Sequence, residues 1–344
     1  MSTTRSLPNS LLSHHDEIQA ELKEIIDSSP LPLYGMLRYH MGWQDKHGYP
    51  RPKKAGKLIR PTFCLLSCQA VGGNTSQILP AAAALELVHN FSLIHDDIED
   101  ASSERHHQPT VWKLWGKPQA INVGDAMFTL AHLALLRLKG RGVSEEKTIQ
   151  AAQMLSQACI ELCEGQYLDI AYESRLIITT EDYLDMITKK TASLLAASTS
   201  IGAYLGTEDE NVVNCLCQFG KEIGLAYQIH DDVLGIWGRE ESTGKSASDI
   251  SQRKKNLPVV YGLENSKGED RAKLLRLYSQ KSIRGEDVLE VVRILEQLGA
   301  RDYAQNSSEQ YYHRALAQLE AAGLDTSRQA PLREAVRFLI GRDY

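Results

Sequence analysis

Residues 81–100 read AAAALELVHNFSLIHDDIED, an apolar segment that ends in four acids within five positions, Asp96, Asp97, Glu99 and Asp100. Polar residues recur in it at spacings of three and four, the period of a helix, so Leu85, His89, Ser92, Asp96 and Asp100 fall along one stripe. One turn apart, the carboxylates of Asp96 and Asp100 repel each other. A hard cation relieves that repulsion, because Mg2+ takes one or two carboxylates and keeps other positions for water and substrate phosphates. His89, two turns below Asp96, stands where an anion bound beside such a metal would lie. The plain alternative is a solvated acidic helix end, and the flanking sequence argues against it.

The helical reading extends outward. Nine of the eleven prolines lie at or before Pro118 and none falls between Pro118 and Pro258, which permits long uninterrupted helices. Within that gap, residues 151–171, 181–205 and 211–236 carry apolar residues at helical spacing among good helix formers. Residues 15–28, 288–298 and 304–322 read the same way, and no run alternates as a strand would. The predicted fold class is all-α, one helical domain over residues 15–344 behind a flexible polar N-terminus, residues 1–14.

Composition excludes several functions. The chain has 344 residues, is 42% hydrophobic and 24% charged, and carries a net charge of −6, so it has core enough to fold and no basic footprint for nucleic acid. Six cysteines are too few for a disulfide scaffold and read as reduced thiols of a cytoplasmic protein. Cys64 with Cys68 and Cys159 with Cys163 are spaced as small core residues rather than as a zinc site. Residues 1–14 are polar and lack the apolar stretch expected of a signal peptide. No run approaches the ~18 apolar residues of an integral membrane segment, and residues 126–136 read as a core helix.

Three more stretches carry chemistry. In Gly56-Lys57-Leu58-Ile59-Arg60-Pro61 a glycine loosens the backbone and two cations bracket a helix start, where orphan N–H groups favour an anion. In the polar loop 101–110, Arg105 can fold back over the acids. In Gln228-Ile229-His230-Asp231-Asp232, Gln228 and Asp231 share a helix face, and a basic tail follows with Gly244-Lys245, Asp249 and Arg253-Lys254-Lys255. Two acid clusters at the ends of separate helices in an apolar bundle suit metal ions held between facing helices.

Together with Lys190-Thr191, these residues resemble the trans-isoprenyl diphosphate synthases, the polyprenyl synthetases, over most of the chain from about residue 20. The resemblance implies an all-α bundle around a deep central cavity, normally a homodimer, that joins isopentenyl diphosphate to an allylic diphosphate. It implies three Mg2+ ions, with Mn2+ as a substitute, on Asp96, Asp100 and Asp231, supported by Asp97 and Asp232. By the same resemblance Arg105, Lys190, Lys245 and Lys254 grip the allylic diphosphate, and Lys57, Arg60 and His89 hold isopentenyl diphosphate. Gln228 and Thr191 shield the cation, and Asp249 acts behind the metal site.

The chain departs from the family pattern twice. It reads Arg105-His106-His107 where two arginines and a glycine are usual, which puts a titratable imidazole, His106, at the isopentenyl diphosphate site in place of a permanent cation. It also has Gly235 where many members have an aspartate. Phe91 with Ser92, just before the acids, resembles the arrangement of synthases that stop at geranylgeranyl diphosphate, C20, although the helical stripe holds Ser92 and not Phe91. Two other readings remain, a terpene cyclase on the same fold and a non-catalytic synthase subunit.

Overall fold

The computed structural model describes residues 7–51, 56–106, 108–238 and 248–341; Lys245 and His107 lie outside them. Its chain forms two compact units, the first from Met1–Gln157, Ala197–Leu216 and Leu324–Leu332, the second from Ala158–Ala196, Cys217–Gly323 and Arg333–Tyr344.

In the first unit the order is α1 (Asn9–Leu12), α2 (His15–Ile26), α3 (Pro32–His40), α4 (Ile59–Ala70), α5 (Leu79–Glu99), α6 (Val111–Trp115) and α7 (Lys117–Leu136). Pro80 sits in the first turn of α5, where its missing N–H removes no helical bond. Ala81 to Leu85, Leu87 and Val88 are all fully buried, so the base of α5 is enclosed by α2, α4 and α7. Only its last turns, at the acids, reach solvent.

Four expectations need correction here. The N-terminus is not irregular to residue 14: Asn9–Leu12 is a helical turn whose Leu11 is fully buried and packs toward α4. The tight entry into α4 falls on Leu58, with φ 47°, rather than on Gly56; burial of the Leu58 side chain offsets the ~1 kcal/mol cost of the left-handed backbone. The 101–110 loop contains a small hairpin, β1 (Glu104–Arg105) paired antiparallel with β2 (Gln108–Pro109). Finally, Lys117–Arg141 is long and apolar enough by composition to cross a membrane, with 44% of its most apolar window buried in the protein. Asp125 and His132 break the run into pieces too short to register as continuous.

The second unit takes α9 (Thr180–Ile187) with parts of α8 (Glu145–Glu173), α10 (Ser193–Gly206) and α11 (Glu210–Trp237). Helices Leu257–Asn265, Gly268–Tyr278, Glu286–Gln297 and Ala300–Ala321 complete it. Thr179 and Asp182 cap α9 reciprocally, satisfying two orphan donors. One core gathers Tyr172, Tyr183, Ile229 and Val233; a second gathers Ile236, Leu274, Val291 and Leu295. The single helix expected over 181–205 is interrupted: Thr188–Ala192 is a widened π turn joining α9 to α10.

Candidate active site

In the first unit α5 delivers the acids. Asp96 is half-buried, Asp97 is buried at 2% exposure, and Asp100 is an exposed C-cap. Arg105 does fold back: its Nε donates to both oxygens of Asp97 at 3.0 and 3.2 Å, and its terminal nitrogen reaches Asp96 at 3.3 Å. Burial pushes the Asp97 carboxyl up, and the guanidinium of Arg105 opposes that rise. The hairpin behind Arg105 is pinned at three points. Thr110 and Trp112 both donate to the Ser102 carbonyl, and the Tyr39 hydroxyl donates to that of Pro109 at 2.7 Å. The hairpin, rather than a flexible loop, therefore aims Arg105.

Below the acids lies a corner rich in cations and imidazoles. Arg60 stands on the first turn of α4 and half-buried His89 on α5; exposed Lys57 precedes α4. His89 is held well below its ordinary pKa, first by burial, then by the cations Arg60 and Arg105 and by His40 and His106. A neutral imidazole there still offers one N–H to an anion. His106 is exposed in the hairpin turn with φ 51°.

Sequence reasoning missed the support under this corner. Glu86 is buried beside Arg60, and burial raises its carboxyl. Asn90 donates to the Glu86 carboxylate at 3.0 Å and bonds the ring of His40, which burial and the charge of Arg105 lower to a pKa of about 3. Glu86 lies three residues before His89, a spacing that would have put it on the same face.

Phe91 is buried and turns away from the carboxylate stripe. Its ring meets Phe128 of α7 edge-on, with centroids 5.0 Å apart, and His95 at 5.8 Å. Ser92 stays beside the stripe, and its hydroxyl donates to the His89 carbonyl.

In the second unit the side chains form a chain of bonds. Thr191 Oγ1 donates to Gln228 Oε1 at 2.9 Å, and Gln228 Nε2 donates to Asp232 Oδ1 at 3.0 Å. Asp232, 6% exposed, also accepts from the Tyr183 hydroxyl and from the Leu257 amide at 2.9 Å, the first N–H of its helix. Burial raises Asp232 to a pKa of about 7; the Tyr183, Leu257 and Gln228 bonds work against that rise, and Asp249 adds to it. Asp231 is half-buried on the neighbouring face.

Lys190, half-buried, donates to Asp169 of α8. Asp169 is a further missed residue, and its signal was Gly165, an odd glycine inside a long helix, one turn before it. Of the basic run, Arg253 donates to the carbonyls of Tyr278 and Gln280, and Lys255 to that of Tyr172, so Lys254 is the exposed member. At Gly235 a Cβ would lie 2.1 Å from a carboxylate oxygen of Asp249, so a larger residue there would require the Asp249 side chain to move.

Among the described residues no group of three or more His, Cys, Asp or Glu side chains converges on one point. Neither acid pair is thus a preformed cage. That ligand count fits Mg2+, which completes its shell with water and phosphate.

The sequence profile of the polyprenyl synthetase family matches residues 51–295, more than half of the chain. The chain belongs to the polyprenyl synthetase family. It is 35% identical over 344 residues to (2E,6E)-farnesyl diphosphate synthase of Mycobacterium tuberculosis, covering 99% of this chain and 94% of that one. It is also 35% identical to geranylgeranyl diphosphate synthase of the same organism, over 303 residues, covering 88% and 85%. The crystal structure of a polyprenyl synthetase from Streptomyces coelicolor superposes with a TM-score of 0.90 at 35% identity, over 96% of this chain and 98% of that one. As a polyprenyl synthetase the protein is a prenyltransferase, a diphosphate synthase of the isoprenoid pathway with the all-α fold. The non-catalytic reading is set aside.

Proposed function

We propose that the enzyme joins isopentenyl diphosphate to an allylic diphosphate and releases geranylgeranyl diphosphate, C20. The observation that carries the reading is the corner of Arg60, neutral His89 and the Arg105–His106 turn, with Lys57 ahead of it. A second anion site below the acids suits a second diphosphate substrate, which a cyclase does not need.

Asp96 and Asp100 on one helix and Asp231 on another would hold three Mg2+. When bound, Mg2+ neutralises the charge that develops on the departing diphosphate. Arg105, Lys190, Lys245 and Lys254 bind the allylic diphosphate; Lys57, Arg60, His89 and His106 bind isopentenyl diphosphate. The allylic C–O bond breaks, a C–C bond forms to the isopentenyl double bond, and the proton lost from the new cation goes to the released diphosphate. Thr191 and Gln228 present oxygens to the cationic chain, and Asp97, Asp232 and Asp249 fix their neighbours.

Phe91, wedged against Phe128, supports a floor that limits product length, and the relatives' names span both C15 and C20. Ile121, Leu133 and Leu136 of α7 are 46%, 53% and 58% exposed. An apolar face of that kind favours a homodimer. Six cysteines outside any disulfide suit the cytoplasm, and residues 15–344 would act as one catalytic domain.

Incubation with farnesyl diphosphate and isopentenyl diphosphate, followed by chromatography, should yield the C20 diphosphate; a C15 limit with shorter primers would refute the length. Replacing Phe91 by Ala should lengthen the product, and unchanged length would remove Phe91 from the floor. Geranylgeranyl diphosphate alone should be inert, since hydrocarbon release would mean cyclisation.

A further inference from the structure

The π turn Thr188–Ala192 carries both Lys190 and Thr191. In it the Ser193 N–H donates to the Thr188 carbonyl, five residues back, instead of to Lys189. The carbonyl of Lys189 takes the Ser193 hydroxyl at 2.6 Å instead. Widened turns of this kind are rare and are frequently found at functional sites. Lys189 and Lys190 also part company there: Lys189 pairs with Glu164 and Asp185, Lys190 with Asp169.

Two glycines admit this turn. A Cβ on Gly165 of α8 would lie 2.2 Å from the Lys190 nitrogen and 2.6 Å from its Cα. A Cβ on Gly224 of α11 would lie 2.4 Å from the Cα of Ala192. Both clashes are with backbone or its immediate Cα, which no rotamer change relieves. One helical turn beyond each glycine, on the same face, stands the side chain that holds the turn's own polar group. Asp169 follows Gly165 and accepts from Lys190; Gln228 follows Gly224 and accepts from Thr191 at 2.9 Å. The pattern is the same on both helices: the glycine lets the backbone approach, and the residue four positions on fixes the side chain.

We infer that Gly165 with Asp169, and Gly224 with Gln228, are two clamps that position Lys190 for the allylic diphosphate and Thr191 for the cationic chain it leaves. Gly165 and Gly224 are positioning residues in this scheme; neither touches substrate. The inference rests on the reading of Lys190 as a ligand of the allylic diphosphate and of Thr191 as a shield of the cation.

The test compares Gly165→Ala and Gly224→Ala with Lys190→Ala and with Gly202→Ala. Gly202 is a control: its Cβ would meet the Cys64 carbonyl at 2.0 Å, an equally tight approach that involves none of the site residues. Steady-state KM for each substrate, kcat and circular dichroism are measured below the melting transition of each variant. Small misplacements of a binding group have large kinetic effects. The glycine variants should therefore lose at least about tenfold in kcat/KM for the allylic diphosphate, with KM for isopentenyl diphosphate within about twofold of wild type. Gly202→Ala should lower the melting temperature and leave both KM values alone.

Folded glycine variants with wild-type allylic kinetics would overturn the inference, as would equal losses for both substrates. Should neither glycine variant fold, Asp169→Asn, which keeps volume, decides: a raised allylic KM supports the clamp and an unchanged or lowered one overturns it. If Lys190→Ala itself leaves allylic kinetics intact, the assignment of Lys190 falls instead.

Discussion

Asp96-Asp97 and Asp231-Asp232 are the same dipeptide, each near the end of a long helix, each with its first member half-buried and its second buried. They differ in what neutralises the buried one. Asp97 has a permanent cation, the Arg105 guanidinium, on both oxygens. Among the described residues, Asp232 accepts from neutral donors, the Tyr183 hydroxyl, the Leu257 amide and the Gln228 amide. Burial is the largest cause of the rise in both, opposed at Asp97 by the Arg105 guanidinium and at Asp232 by the three neutral donors, and Asp232 is carried up to about 7. One fold thus buries two aspartates by two means, one beside a permanent cation and one among neutral donors. In both pairs the half-open neighbour is the member proposed to bind metal.

The largest test separates the open members from the buried ones. Asp96→Ala and Asp231→Ala should each lower kcat by about a thousandfold or more, the scale of losing a centre that stabilises the leaving charge. Helical circular dichroism should be unchanged, because neither side chain is part of a core. A wild-type rate in Mg2+ for either variant would break the parallel between the two pairs.

The buried members should differ in pH dependence of stability, followed by urea unfolding in EDTA. A carboxyl whose folded pKa is raised contributes stability that is fully present below its unfolded pKa, near 4, and lost as pH rises through the folded value. For Asp232 that window runs from about 4 to about 7. The stability advantage of wild type over Asp232→Asn should shrink across it by up to roughly 4 kcal/mol. Asp97→Asn removes the charge paired with Arg105 Nε, leaving that guanidinium its contact to Asp96, and should cost about 1–3 kcal/mol, with a shallower slope because Arg105 opposes the rise in Asp97. Equal slopes for the two variants would erase the distinction.

What the sequence disclosed follows the range of the forces involved. The amphipathic period of α5 and α11 and the acids at their ends are local properties, legible in a window of twenty residues. The π turn is not local: it exists because Gly165 and Gly224, dozens of residues away on either side, leave room for the backbone of 188–192, and propensity has no term for that. The hairpin was invisible for a different reason, since strands of two residues are too short to alternate. Asp169, Tyr183 and Glu86 were passed over because each looks like an ordinary polar residue in its own helix. Their roles come from the partners, Lys190, Asp232 and Arg60, that packing brings to them.

The smallest expected effect concerns His106, beside the cation that distinguishes the first pair. Its imidazole is exposed in the hairpin turn, and its presence helps keep His40 and His89 uncharged. His106→Arg would place a permanent, forked donor next to Arg105. The backbone there has φ 51°, which burdens His and Arg alike, so stability should hardly change. A guanidinium facing the isopentenyl diphosphate anion should lower the apparent KM for that substrate by about threefold to tenfold, the equivalent of roughly 1 kcal/mol. The KM for the allylic substrate should stay put. An unchanged or raised KM for isopentenyl diphosphate would remove His106 from that site and leave Lys57, Arg60 and His89 to hold the anion without it.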